Sequence, residues 1–395
     1  MLRGALSLAV ALVICAGPVS TGAQLPAAPG DASVTLPQLK AAIDKLGDLD
    51  FPTRMAAGRT VRRAAPTMAV PALLQAVAAH TDGYVRFRAL VLLSGFNDPR
   101  TLDVMLSALA DSNDRLRTVA YAYFEHNPND NVLPRLLAAV DKEVSEFVRP
   151  ALMRALAAND TDARLRQTMN ALVLKGHDLF RSATIEALGD HAAAYALTPI
   201  TEVAKLEGPL QDDAVVALGK IGDKASLAVF APLQRSAPRE TQPAIAGAIC
   251  MLGVNCPTHI KYLADTLRFA TVNPGFQELL RAAAGALAAL GVKGQQQPLD
   301  ILIEQGVPSR DPARAAIALG LGTVALRNTT AMIAALERQA DPAPAVELLR
   351  EAFDMLEEDF EEERFFVTVR RAYWRAAEGS QTRKVTNALI QKLEF

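Results

Sequence analysis

Arg54, Arg86, Arg117, Arg149 and Arg181 recur at near-constant spacing along this chain, and an apolar residue directly precedes the last four of them: Val85, Leu116, Val148 and Phe180. A guanidinium presents a planar fork of donors that fits a carboxylate or a phosphate. Such a row could grip an anionic partner as a basic stripe. Alternatively, each arginine could bond the carboxylates and helix-end carbonyls beside it. A place in the first turn of an inner helix, next to a packed apolar side chain, favours the second role. The chain carries 41 Lys and Arg against 43 Asp and Glu, a near-neutral balance that offers no general attraction to nucleic acid or to an anionic membrane.

The other residue types that do chemistry are scattered. His80, His126, His177, His191 and His259 fall near expected turns or helix ends and never form the two-histidine helical zinc pattern. The segment EHNPNDN from Glu125 has oxygen ligands at alternating positions, but Ala138 stands where a calcium loop needs its closing Glu. The GLG at Gly320 lacks the rest of a dinucleotide fingerprint and no strand precedes it. With no nucleophile elbow and no phosphate-binding loop, a non-enzymatic chain with no catalytic, metal or cofactor site is expected. Cys250 and Cys256, in ICMLGVNCP, are expected at a helix-turn-helix corner. A pair this close favours a local disulfide in an oxidising compartment, with two buried thiols as the alternative. The run from Glu357 to Glu363 precedes Arg364, Arg370 and Arg371, which suits self-paired charges on a solvated helix face.

The elements that position these residues are legible as a repeat. Apolar quartets at i, i+3, i+4 and i+7 open at Val70, Leu102, Leu133, Leu165, Leu197 and Leu227, one face of a helix each time. A second helix follows each quartet, carrying the arginine and, seven residues on, Leu93, Phe124, Leu156 or Leu188. Helices of this kind near residues 54, 86, 117, 149, 181, 211, 245, 283 and 314 predict an all-α solenoid of about nine antiparallel pairs. Glycines 95, 189, 219, 253, 291 and 322 are expected to end the second helices through left-handed turns. The spacing loosens around TLRFATVNPGFQ, where a longer loop is expected. A charged, aromatic C-terminal segment should cap the last apolar face.

The opening residues have one base, Arg3, then an apolar run from Leu6 to Ala16, then small residues up to Ala23. That is the layout of a secretory signal peptide cleaved before Gln24. The expected organisation is therefore 1–23 signal peptide, 24–35 flexible leader, 36–340 repeats and 341–395 helical cap. No transmembrane segment is expected in the mature chain, which should be exported to a periplasmic or extracellular space.

Paired helices of this length, the apolar-Arg opening and the Leu-Gly close (Leu188-Gly189, Leu218-Gly219, Leu252-Gly253, Leu290-Gly291, Leu321-Gly322) resemble HEAT repeats. They are most similar to the short variety named after phycobilisome lyases. The resemblance implies that second helices line a concave side, with the residues one and five after each arginine facing outward. Phe87, Val91, Thr118, Ala122, Arg154, Ser182, Glu186, Asp212 and Val216 form the resulting candidate groove. Its mixture of apolar, small and oppositely charged residues fits a protein or peptide partner and suits a nucleic acid poorly. The expected function is an exported HEAT-repeat scaffold or adaptor. The alternatives are a chromophore- or substrate-handling enzyme, since similar repeats occur in phycobilin lyases and some DNA glycosylases, and a purely structural spacer.

Overall fold

A computed structural model describes residues 34–395, so the expected signal peptide and most of the leader lie outside the described residues. The described residues fold into helices without a strand. The first pairs are α1 (Leu36–Asp44) with α2 (Phe51–Arg63), α3 (Pro66–Ala79) with α4 (Gly83–Ser94), and α5 (Thr101–Ala108) with α6 (Asp114–His126). Next come α7 (Leu133–Ala139) with α8 (Arg149–Ala158), α9 (Ala163–Leu174) with α10 (Asp178–Asp190), and α11 (Leu197–Ala204) with α12 (Gln211–Ile221). The series continues with α13 (Leu227–Ser236) and α14 (Gln242–Met251), α15 (Cys256–Val272) and α16 (Gln277–Val292), and α17 (Gln296–Gly306) and α18 (Ala313–Arg327). A further pair, α19 (Thr329–Glu337) and α20 (Ala343–Leu356), precedes α21 (Asp359–Arg375) and α22 (Gln381–Lys392).

The first three second helices start where an Asp or Asn can hold the first turn. Asp50, Asp82 and Asn113 accept from the backbone N–H of Thr53, Tyr84 and Arg115, filling donors that a helix start leaves open. The repeated arginine follows four residues later and ties neighbouring units together. Arg86 Nη2 lies 2.5 Å from Asp111 of the next unit, and Arg117 Nε lies 2.7 Å from Glu143 of the next. Arg149 donates to the carbonyls of Val140 and Glu143 at 2.7 and 2.8 Å, and Arg181 donates to that of Val173 at 3.0 Å. These partners turn the guanidinium groups into the stack.

Consecutive second helices from α6 to α20 make the broadest contacts in the molecule. They form a continuous inner row, and α20 joins it by packing on α18. The expected boundary at 340 thus falls in the turn between α19 and α20, and α21 with α22 makes the terminal cap.

Two expectations about loops change. Gly189 and Gly219 lie inside α10 and α12, not in left-handed turns. A Cβ added there would sit 2.8 Å from Ala217 Cα and 2.7 Å from Ala248 Cα, so these glycines let neighbouring backbones touch. True left-handed glycines follow, with φ of 84° at Gly222 and 78° at Gly253. The extra residues near TLRFATVNPGFQ lengthen α15 to 17 residues and leave only a short 3-10 turn at Pro274–Phe276. Apolar positions Ile260, Leu263, Leu267 and Ala270 keep helical spacing and are buried, so the helix runs on. At the α14–α15 corner Cys250 and Cys256 are joined as a disulfide.

Replacing Gly219 by Ala should lower the melting temperature, with a loss of about 1–3 kcal/mol from overpacking against Ala248. Gly275→Ala, where nothing lies within 4 Å, should leave denaturant unfolding nearly unchanged.

The concave cleft as candidate functional site

The inner row of second helices makes a concave face, and the C-terminal cap divides it in two. Helix α21 crosses to α4 and α6 while also packing on α18, so the last helices meet the first ones. Arg62 Nη2 and Glu363 Oε2 lie 2.6 Å apart with both side chains almost fully buried. Arg88 pairs with Asp359, His126 Nε2 lies 2.7 Å from Glu361, and Arg59 reaches Glu394 at 3.0 Å. Phe360 enters the core beside Tyr123, their ring centroids 6.5 Å apart. Gly95 makes room here: a Cβ on it would stand 2.7 Å from Glu363 Oε1. This glycine, with φ of −70°, serves the closure and not a left-handed turn.

The first half of the expected groove is therefore occupied. Phe87, Val91 and Ala122 are buried in the same core cluster as Phe360, which removes them from any partner surface. Thr118 turns its hydroxyl back to the carbonyl of Asp114 at 3.0 Å. The acidic run is also not a solvated face, because Glu361 and Glu363 are buried against arginines and a histidine more than two hundred residues away in sequence. Along the helix itself Glu361 pairs with Arg364 at 2.6 Å and Glu363 with Arg370 at 3.5 Å.

The second half stays open. Arg154, Glu186, Asp212 and Val216 line a cavity of about 710 Å³ walled by α8, α10, α12, α16 and α18. Ser182 stands behind it and donates to Asp213 Oδ2 at 2.6 Å. The floor is small-residue helix surface, including Ala286, Ala289 and Ala316. Glu186 is exposed to solvent, although it lines the concave cleft. Desolvation, then the nearby Asp213 carboxylate, pushes its pKa up. Asp213 is raised likewise by burial, against the lowering effect of the Ser182 hydroxyl.

Where the two halves meet, charges converge. Glu125 receives Arg154 at 3.0 Å and faces His191 at 3.4 Å. Burial by itself pushes the Glu125 carboxyl up, but the neighbouring His191 imidazole and the Arg154 and Arg327 charges outweigh it and hold the pKa at about 2. Arg327 pairs with Glu358 at 2.9 Å and approaches Glu361 at 3.4 Å. Glu125, His126 and Glu361 bring potential metal-ligand atoms within 4.8 Å of one another. Arg154, Arg327 and Arg364 already neutralise these carboxylates, so a divalent cation would face three guanidinium charges and the residues do not fit one. This is an ion-pair network joining α6, α8, α10, α18 and α21.

Residues 39–125 match the family model described as HEAT repeats. The chain contains HEAT repeats. The same pairing of helices continues through α20 as an α-solenoid. Similar solved structures include Kap95p, from a study of its binding to RanGDP, at 13% identity and a TM-score of 0.43, covering 91% of this chain and 55% of that one. Importin beta is another, at 15% identity and a TM-score of 0.37, covering 90% and 50%. The chain thus spans about half the length of the structures it matches. No curated protein matches the sequence. Among the described residues no single helix is long and apolar enough to cross a membrane.

Two outcomes follow for the closure. Glu363→Ala strands the Arg62 guanidinium in a buried site and should cost about 3–5 kcal/mol, read as a lower denaturant midpoint. Glu362, beside the same contact, has its carboxyl pushed up to about 7 by burial, against the pull of Arg88 and Arg62. A raised carboxyl contributes stability below its unfolded pKa near 4.5 and loses it as pH climbs through 7. Glu362→Gln should therefore raise the melting temperature at pH 8 and change it little at pH 4.

Proposed function

We propose that this HEAT array is an exported, non-enzymatic scaffold that holds a protein or peptide segment in the open half of its concave cleft. The observation that carries this reading is the 710 Å³ cavity, walled entirely by the inner helix row and its flanking residues. A cleft of that size takes a few side chains or a short segment of chain. Its walls alternate small apolar and charged groups, the make-up of a protein-recognition surface. The strongly shifted carboxylate at its edge, Glu125, is committed to arginine and histidine, which suits an architectural role better than proton transfer.

Export is supported by the signal-like composition of residues 1–23 and by the Cys250–Cys256 disulfide, a bond that persists in oxidising compartments. Mass spectrometry of the full-length product should find a mature chain starting at Gln24 outside the cytoplasm. An intact, cytoplasmic Met1 chain would overturn the export reading.

The scaffold reading is tested by crosslinking capture from the native envelope, comparing the mature chain with a Glu186→Arg, Val216→Arg variant. Loss of a captured partner at unchanged helical content is expected. Identical capture by both forms would move the site off the cleft, and no partner with either would favour a spacer.

A further inference from the structure

The cleft's charges are unevenly matched. Its cations all have carboxylate partners: Arg154 holds Glu125 at 3.0 Å, Lys220 holds Asp190 at 2.6 Å, Arg281 holds Glu278 at 2.5 Å and Arg327 holds Glu358 at 2.9 Å. Among the described residues, three of its carboxylates have no cation in direct contact, although Lys220 lies near enough to act on Glu186 and Asp213, and Arg154 on Glu186. Glu186 and Asp212 make no hydrogen bond or ion pair, and Asp213 has only the Ser182 hydroxyl. These three lie together on α10 and α12, which pack side by side, and all three line the cavity.

The start of α12 accounts for part of this. Asp212 and Asp213 sit in its first turn, where the helix dipole favours negative charge. Glu186 has no such support, since it lies in the last turns of α10. Crowding an unpaired carboxylate against two others in a concave, partly desolvated site costs stability. Lys220 and Arg154, each already holding another carboxylate, recover only part of that cost.

We infer that the open half of the cleft recognises a cationic segment of its protein partner, a Lys or Arg side chain docking between Glu186 and Asp213 while an adjacent apolar side chain rests on the alanine floor. The inference rests on the scaffold reading above and specifies the partner's chemistry. Charge complementarity selects the occupant: an ammonium or guanidinium supplies the cation that these carboxylates lack. The surface beside them is rich in small side chains, at Ala286, Ala289, Ala315, Ala316 and Gly320, among larger ones such as Leu280 and Leu319, which leaves room for a bulkier neighbour. An acidic segment would add to the repulsion, and a purely apolar one would leave the carboxylates desolvated and unpaired.

The test uses the mature chain and three short fluorescent peptides: alternating lysine and leucine, the same with glutamate for lysine, and the same with glutamine for lysine. Anisotropy should show binding of the lysine peptide only, weakening as salt rises. Glu186→Gln with Asp213→Asn should weaken it by about tenfold or more. Glu202→Gln with Glu207→Gln, an equal charge change at two exposed acids outside the cleft, should not. The cleft variant should melt at or above the parent temperature, because it removes like-charge crowding. Equal weakening by both variants, or binding of the glutamine peptide as well as the lysine one, would overturn the inference. If envelope capture is lost with the Arg-bearing cleft variant while the lysine peptide ignores Glu186 and Asp213, the scaffold reading stands and the cationic one falls. If neither capture nor peptide responds to any cleft change, both fall.

Discussion

The spacing of the inner helix row governs this structure. Where second helices meet, glycine faces alanine: Gly189 against Ala217, Gly219 against Ala248, Gly322 against Ala352. Small residues at these contacts let inner helices approach more closely than leucine pairs would permit, and a solenoid whose inner row is compressed must curve. The curvature is visible where Lys293 at the end of α16 donates to the carbonyl of Lys220 at the end of α12, at 3.0 Å. It is also what brings α18 and α21 round to α4 and α6.

That meeting puts charge in the interior. The Arg62–Glu363 pair is almost dry, and taking both ions from water costs several kcal/mol before any attraction is counted. Aromatic packing offsets it: Phe366 stacks on Phe395 at 4.1 Å, and Phe365 meets Phe353 at 5.1 Å. The apolar surface of α21 therefore supplies the stabilisation, and its charged residues set the register at which the helix lands.

Much of the array was legible because it is local. The apolar quartets, the arginine directly after an apolar residue, and the paired cysteines all act within a unit or between neighbours, so their spacing carries the information. Arg154, Glu186, Asp212 and Val216 were placed on the cleft by the same reasoning. The occupied half was not legible. Nothing about Arg88 or Gly95 in sequence says that a helix beginning at Asp359 meets them, since a contact across some 270 residues leaves no periodic trace. The glycines misled for a related reason. A helix-ending turn and a close helix approach both select glycine near the end of a helix, and only the neighbour's position separates them.

The clasp of α21 on α4 and α6 also orders events during synthesis. An open repeat array can assemble unit by unit as it leaves the ribosome, each new pair covering the one before. Here the faces carrying Arg88, Gly95 and Tyr123 emerge early, yet the helix that packs on them is among the last to be made. The early repeats thus spend nearly the whole of translation with an apolar inner surface uncovered. Joining the two ends adds contacts of very high sequence separation to a fold otherwise made of short ones, which slows the final step of folding. Once joined, the first repeats can no longer fray independently of the last.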